Sequence, residues 1–113
     1  MTDRAECFHH SDKKPWTRVA DGVDRQVLGY DQQLMLVAVR FEKGAVGALH
    51  SHPHRQVTFV SSGSFEVEID GQKRILSAGD SFFVPSDLKH GVVAQEAGVL
   101  VDVFHPMRDE FVQ

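Results

Sequence analysis

The densest group of side chains able to bind a metal ion lies in the segment HSHPHRQ at 50–56. Residues two apart in an extended strand point to the same side, so His50 and His52 can present two imidazoles to one ion. Gln56 shares their parity, although a proline between them can interrupt the strand ladder. Another ligand must come from a distant part of the chain, and His90 is the natural candidate because it opens a β-rich segment after a turn. Ordinary surface histidines are the alternative interpretation of this spacing.

A carboxylate interrupts the apolar run VLVDVF at 99–104. Burying a carboxylate among hydrocarbon is costly unless it faces a polar cavity or finds a partner. Strand alternation places Asp102 and Phe104 on one face, opposite Val101 and Val103. Both could therefore face the same cavity. The alternatives are an outward-facing surface acid and a phenylalanine that only packs in the core.

The elements that would position these groups are short β-strands. From residue 22 onward apolar runs alternate with turn residues, and no stretch carries a sustained helical stripe. Predicted strands cover 34–41, 56–60, 65–69, 81–84, 90–95 and 99–104, with a break at 61–63. Strands at this spacing are typical of a sandwich or barrel, and closure protects the sheet edges. We expect an all-β, antiparallel architecture closed on itself.

The sequence Asp70-Gly71 predicts a hairpin after the alternating strand at 65–69. A three-residue loop that includes Gln72 would set Val67 opposite Ile75. A two-residue loop would set Ile75 against Glu66 instead. The longer loop is favoured because it pairs apolar with apolar side chains.

Length and composition limit the possible classes of protein. The chain has 113 residues, which suits one domain at 16–113 preceded by a flexible polar arm at 1–15. Its net charge of −4 and lack of a basic cluster argue against nucleic-acid binding. The single cysteine, Cys7, excludes an internal disulfide framework and fits a reducing compartment. No apolar run is long enough for a membrane span and no signal sequence is evident, so a cytoplasmic protein is expected.

Two groups of residues resemble the two motifs of the cupin superfamily. The first motif matches Gly44, His50, His52, Gln56 and Gly63. The second matches Gly79, Pro85 and His90. Gln56 stands where most cupins have glutamate, and Asp87 replaces a customary glycine in the turn before His90.

A narrower resemblance covers nearly the whole chain from Trp16. The segments at 28–31, 41–44, 50–54, 82–85, 102–104 and 106–111 resemble the pectin-degradation cupins called KdgF. That resemblance implies a double-stranded β-helix, or jelly-roll, barrel with one divalent metal ion such as Ni, Zn, Mn or Fe. The implied metal ligands are His50, His52, Gln56 and His90. The implied activity is conversion of cyclic 4,5-unsaturated monouronates to the linear keto form in pectin and alginate catabolism.

The same resemblance assigns Asp102 and Phe104 to the active site. Ring opening and ketonisation move a proton between oxygen and carbon, which suits Asp102 as general acid or base and Phe104 as a wall. Arg55, where the subgroup often has an acid, is expected to alter the pocket rim. Arg108 could pair with a carboxylate in bidentate geometry, but a surface arginine near the C-terminus is the favoured interpretation.

The predicted ligand set has an electrostatic consequence. Three neutral imidazoles and one neutral amide leave the full charge of a divalent ion uncompensated, so the site should attract an anionic sugar. A metal-dependent dioxygenase and a non-enzymatic sugar-binding module are the alternative functions. By analogy with single-domain cupins, a homodimer is expected, with residues 16–30 at its interface.

Overall fold

The computed structural model describes residues 6–112, and these form eight β-strands and two single 3₁₀ turns. The strands are β1 (Thr17–Ala20), β2 (Val23–Tyr30), β3 (Met35–Phe41), β4 (Val46–His50), β5 (Arg55–Ile69), β6 (Gln72–Ser77), β7 (Ser81–Val84) and β8 (His90–His105). The 3₁₀ turns are Ser11–Lys13 and Asp109–Phe111. All strand pairs are antiparallel. The expected all-β jelly-roll architecture is confirmed.

Two long strands, β5 and β8, organise the fold. They pair with each other along nearly their whole length, from Arg55 opposite His105 to Ile69 opposite His90. The first half of β5 also pairs with β7, and the second half of β8 with β3, which gives a sheet β1-β2-β3-β8-β5-β7, here called sheet I. The other halves pair with β6 and β4 and give a sheet β4-β8-β5-β6, here called sheet II. The two sheets therefore share their central strands.

The strands cross from one sheet to the other at an irregular corner. Register shifts lie between Val60 and Phe65 on β5, whose partners on β8 are Leu100 and Ala94. The predicted break at 61–63, and the predicted division of 90–104 into two strands, are wrong because both segments bend there without ending. Gly63 makes the bend possible, since its φ is +82° and its α-carbon lies against the backbone of Ala97 and Gly98.

We expect Gly63→Ala to destabilise the fold far more than Gly44→Ala. Both glycines have left-handed backbones, with φ of +82° and +83°, so each alanine costs about 1–2 kcal/mol of conformational energy. At Gly63 a Cβ would also lie 2.6 Å from the Ala97 carbonyl oxygen, whereas nothing lies within 4 Å at Gly44. Overpacking should add about 1–3 kcal/mol to the loss at Gly63. Urea unfolding measures both losses, and equal losses would contradict this account of the corner.

The hairpin after β5 differs from the prediction. Its loop has two residues, Asp70 and Gly71, with φ of 51° and 82°, and Ile69 pairs with Gln72. Two consecutive positive φ values are the signature of a turn whose twist matches that of the flanking strands. The inward partner of Phe65 is consequently Leu76, while Ile75 is 56% exposed. The three-residue loop was wrong because it assigned Ile75 to the core face.

The core lies between the two sheets and is divided in two. A larger cluster contains Val23, Phe41, Ala45, Val60, Phe65, Val67, Ala94 and Leu100. A smaller cluster of Met35, Val37 and Phe104 lies at the other end of sheet I. A cavity of about 270 Å³ extends between the sheets and includes residues of both clusters in its lining. The cavity, and not a continuous hydrocarbon core, occupies the space beside the predicted site.

The described part of the N-terminal arm contacts β2. The buried Gln26 donates hydrogen bonds from Nε2 to the carbonyl oxygens of Ser11 and Lys14, at 2.7 and 3.2 Å. The ring of His9 lies against Gly29. The division into a flexible arm and one domain stays a prediction. In residues 6–112, no helix has the length and apolar character needed to cross a membrane.

Candidate metal centre

Three histidines lie close together, and two of them, His50 and His90, line the cavity. His50 ends β4 and His90 begins β8, and because they are register partners their ring centroids lie 4.4 Å apart. His52, in the loop before β5, lies 5.4 Å from the first ring and 4.8 Å from the second. Their candidate ligand atoms all lie within 4.8 Å of one another. His52 and His90 are buried and His50 is exposed, so the cluster is accessible from one side.

The loop carrying His52 is held against the turn before β8. The Asp87 amide donates to the His52 carbonyl oxygen at 2.8 Å, and the Ser86 hydroxyl donates to the Pro53 carbonyl oxygen at 2.6 Å. Asp87 has a φ of +69°. This left-handed conformation explains why glycine is customary there, and aspartate is one of the few other residues that adopt it readily. The changed motif residue therefore preserves the turn.

Backbone hydrogen bonds fix the tautomer of each histidine. The Nδ1 atoms of His50, His52 and His90 lie 2.8, 3.0 and 3.0 Å from the carbonyl oxygens of Ala48, His54 and Leu88. A carbonyl oxygen only accepts, so each Nδ1 carries the proton and each Nε2 of a neutral ring keeps its lone pair. This orientation of imidazoles by backbone acceptors is typical of metal-binding histidines.

The amide of Gln56 directs its oxygen to the same place. Its Nε2 donates to Thr58 Oγ1 at 2.8 Å and to Asp102 Oδ1 at 3.3 Å. Its Oε1 lies 3.2 Å from His52 Nε2. Since both of these atoms are acceptors when His52 is neutral, a cation between them would turn a repulsive contact into a favourable one.

The two buried histidines of the cluster favour the neutral form. Burial lowers the pKa of His52, and burial lowers the pKa of His90 to about 4. His90 Nε2 is also buried without a hydrogen-bond partner among residues 6–112. A buried, unprotonated nitrogen beside two other imidazoles is the arrangement a metal ligand requires. The residues present thus suit a divalent metal ion.

Asp102 lies next to these groups on β8. Thr58 Oγ1 donates to Asp102 Oδ1 at 2.6 Å, and the Gln56 amide donates to the same oxygen at 3.3 Å. Burial raises the pKa of Asp102 to about 6, although the Thr58 hydrogen bond opposes that shift. The predicted alternation is observed. Asp102 and Phe104 are buried, whereas Val101 and Val103 on the other face of the strand are less buried. A carboxyl group is thereby connected to the histidine cluster through one amide.

Phe104 both lines the cavity and packs in the core. Its side chain is 2% exposed and contacts the Met35 and Val37 cluster. Its ring lies 5.8 Å from that of His52 in a T-shaped arrangement. The two interpretations offered by the sequence are therefore compatible.

The structure changes the interpretation of Arg55 and Arg108 and adds a third arginine to the cavity. Arg55 is exposed and lies 5.6 Å above the Phe83 ring on the outer face, so its expected effect on the pocket rim is wrong. The surface interpretation of Arg108 is also wrong, because its side chain is 12% exposed and lines the cavity. Arg25 lines the cavity too and was missed. The sequence could have indicated this position, because Arg25 lies two residues after the apolar Val23 and therefore faces the same side of β2.

Comparisons with known proteins give a consistent assignment. Residues 37–104 match the cupin domain family Cupin_2. The chain is 45% identical over 102 residues to the pectin degradation protein KdgF of Dickeya dadantii (strain 3937), covering 88% of this chain and 93% of that protein. A crystal structure of an RmlC-like cupin from Shewanella frigidimarina NCIMB 400 is 42% identical with a TM-score of 0.91, covering 94% and 96% of the two chains. The structure of KdgF from a Halomonas species is 40% identical with a TM-score of 0.90, covering 94% and 98%.

Proposed function

Because this chain belongs to the cupin family, and within it to the family of KdgF, we propose that it is a metal-dependent isomerase of unsaturated sugar acids. Its substrates would be cyclic 4,5-unsaturated monouronates released from pectin or alginate, and its products their linear keto forms. The observation that carries this proposal is the buried carboxyl of Asp102, joined through Gln56 to a cluster of three imidazoles.

His50, His52, Gln56 and His90 would hold one divalent ion. All four ligands are neutral, so the bound ion would keep its full charge and act as a Lewis acid toward the oxygens of an anionic sugar. The absence of thiolates at the site suits an open, catalytic centre better than a closed structural zinc site. Ni, Zn, Mn and Fe are all compatible with imidazole and amide donors.

Asp102 would move the proton that the reaction requires. As the bond between C1 and the ring oxygen breaks, the ionised carboxylate accepts the proton of the C1 hydroxyl, and C1 becomes an aldehyde. The ring oxygen is left as an enolate on C5, and the same carboxyl returns the proton to C4 as C5 becomes a ketone. Atoms and charge balance, so neither an oxidant nor a second substrate is needed. Because Thr58 and Gln56 both donate to Oδ1, Oδ2 is the oxygen that would carry the proton.

The cavity walls would orient the sugar beside Asp102. Phe104 closes one side of the space with hydrocarbon, which limits the access of water to the reacting carbons. His50 is exposed, so the sugar would enter beside it.

The test is loss of the ultraviolet absorbance of the conjugated double bond. Unsaturated monouronate is generated by a lyase and mixed with protein that has been loaded with one equivalent of metal. We expect the absorbance to disappear much faster than in buffer, and this acceleration to vanish after chelation and return when the metal is restored. A fully loaded protein that leaves the spontaneous rate unchanged would contradict the proposal. Binding of uronate without turnover would instead identify a sugar-binding module.

A further inference from the structure

Two guanidinium groups share one aromatic ring at the edge of the cavity. The guanidinium carbon of Arg25, on β2, lies 3.8 Å from the centroid of the Phe111 ring. That of Arg108 lies 4.5 Å from the same centroid. Phe111 comes from the C-terminal 3₁₀ turn, so the end of the chain folds over β2. Stacking on a ring holds a guanidinium in place without neutralising its charge.

The two arginines differ in how their charges are compensated. Arg108 donates from Nε and Nη2 to one oxygen of Glu110, at 3.2 and 3.0 Å. Arg25 takes part in none of the ion pairs found across residues 6–112. Burial and the nearby charge of Arg108 lower the pKa of Arg25, while the negative charge of Glu110 opposes that shift. A guanidinium nevertheless stays protonated in proteins, so Arg25 is a fixed positive charge.

Arg25 is within reach of a small ligand bound at the histidine cluster. On sheet I, Arg25 pairs with Val39 of β3, and Val39 pairs with Leu100 of β8. Asp102 lies two residues after Leu100, on the same face of β8. Adjacent strands are about 4.8 Å apart, so Arg25 is attached about 10 Å from β8. Its long side chain leads back into the cavity that Asp102 and His90 also line.

We infer that Arg25 binds the carboxylate of the sugar acid and thereby decides which end of the substrate faces Asp102. This inference rests on the proposed function and specifies how its substrate is recognised. A planar fork of N–H donors matches a carboxylate in bidentate geometry, and Phe111 holds the fork in position before binding. Arg25 forms none of the ion pairs found across residues 6–112, whereas Arg108 already binds Glu110, so the donors of Arg25 are the ones left for a carboxylate.

The inference is tested by comparing an acid with its neutral counterpart. Galacturonate and galactose, neither of which can react, are titrated into protein carrying one equivalent of Zn²⁺, and binding is followed by NMR. We expect Arg25→Gln to weaken galacturonate binding by about 10- to 100-fold, as loss of charge-assisted hydrogen bonds does, and to leave galactose binding unchanged. Arg74→Gln, on the exposed β6, is the matched control and should change neither affinity.

A second variant separates charge from geometry. Arg25→Lys keeps the charge but loses the fork, so its affinity for galacturonate should fall between the wild type and Arg25→Gln. In turnover, both variants should raise KM, because the carboxylate is held before and during the reaction, and should also lower kcat, because part of the bound sugar would be misoriented. An undiminished preference for galacturonate in metal-loaded Arg25→Gln, or in Arg25→Lys if the glutamine variant does not fold, would overturn the inference. Lack of turnover by the wild type would count against the proposed function alone.

Discussion

His90→Ala should abolish stable metal binding by this protein while leaving the β-fold intact. The buried Nε2 of His90 has no hydrogen-bond partner within residues 6–112, and its Nδ1 proton is held by the Leu88 carbonyl. The imidazole is therefore positioned to donate its lone pair to an ion. Even loss of a group that only supports a ligand costs about 10- to 100-fold in metal affinity, so loss of a ligand itself should cost at least about 100-fold.

The measurement is elemental analysis of protein produced without a histidine tag and dialysed against metal-free buffer. The wild type should retain one equivalent of metal and the variant almost none. His105→Ala, at the exposed far end of the same strand, is the control and should bind metal like the wild type. Circular dichroism and the Tm of both variants establish that they are folded. Stoichiometric metal in a folded His90→Ala protein would show that the cluster is not the metal site.

Asp102→Asn should reduce turnover by about 10²- to 10⁴-fold without removing the metal. The amide has nearly the same shape as the carboxyl, and its oxygen can still accept the hydrogen bond of Thr58. It cannot accept and return a proton, and positioned proton transfer typically contributes a factor of that size. An effect confined to the rate would thus separate the role of Asp102 from that of the ligands.

The assay compares the loss of absorbance by wild type and variant at equal metal content. Asp21→Asn, in the exposed turn between β1 and β2, is the control for the chemical change and should leave the rate unaltered. Metal loss in Asp102→Asn would point to a supporting role through Gln56. A rate within about twofold of the wild type would remove Asp102 from the proposed proton transfer.

Most of what could be predicted about the site from the sequence follows from the alternation of side chains along a single strand. The alternation that buries Asp102 and Phe104 can be seen in six residues, since strand geometry fixes which side chains share a face. His50 and His90 are 40 positions apart, and no local pattern states that they are register partners. Their pairing became predictable only through the resemblance to two cupin motifs in the right order.

Features that depend on the three-dimensional curvature of the strands were not predicted from the sequence. Ser61-Ser62-Gly63 has the composition of a turn, yet the strand continues because Gly63 permits a close crossing over Gly98. The inward position of Arg25 was not recognised because a charged residue on a half-buried strand normally faces solvent. In this fold the adjacent space is a cavity, which gives its guanidinium room.

The sharing of β5 and β8 between both sheets has a consequence for cooperativity. We expect unfolding of one sheet to weaken the other, because each sheet is built from one half of β5 and one half of β8. The candidate ligands are divided in the same way, with His50 and His90 on sheet II and Gln56 on sheet I. Neither half of the chain alone contains all of these ligands, and a bound ion would stabilise both sheets against unfolding.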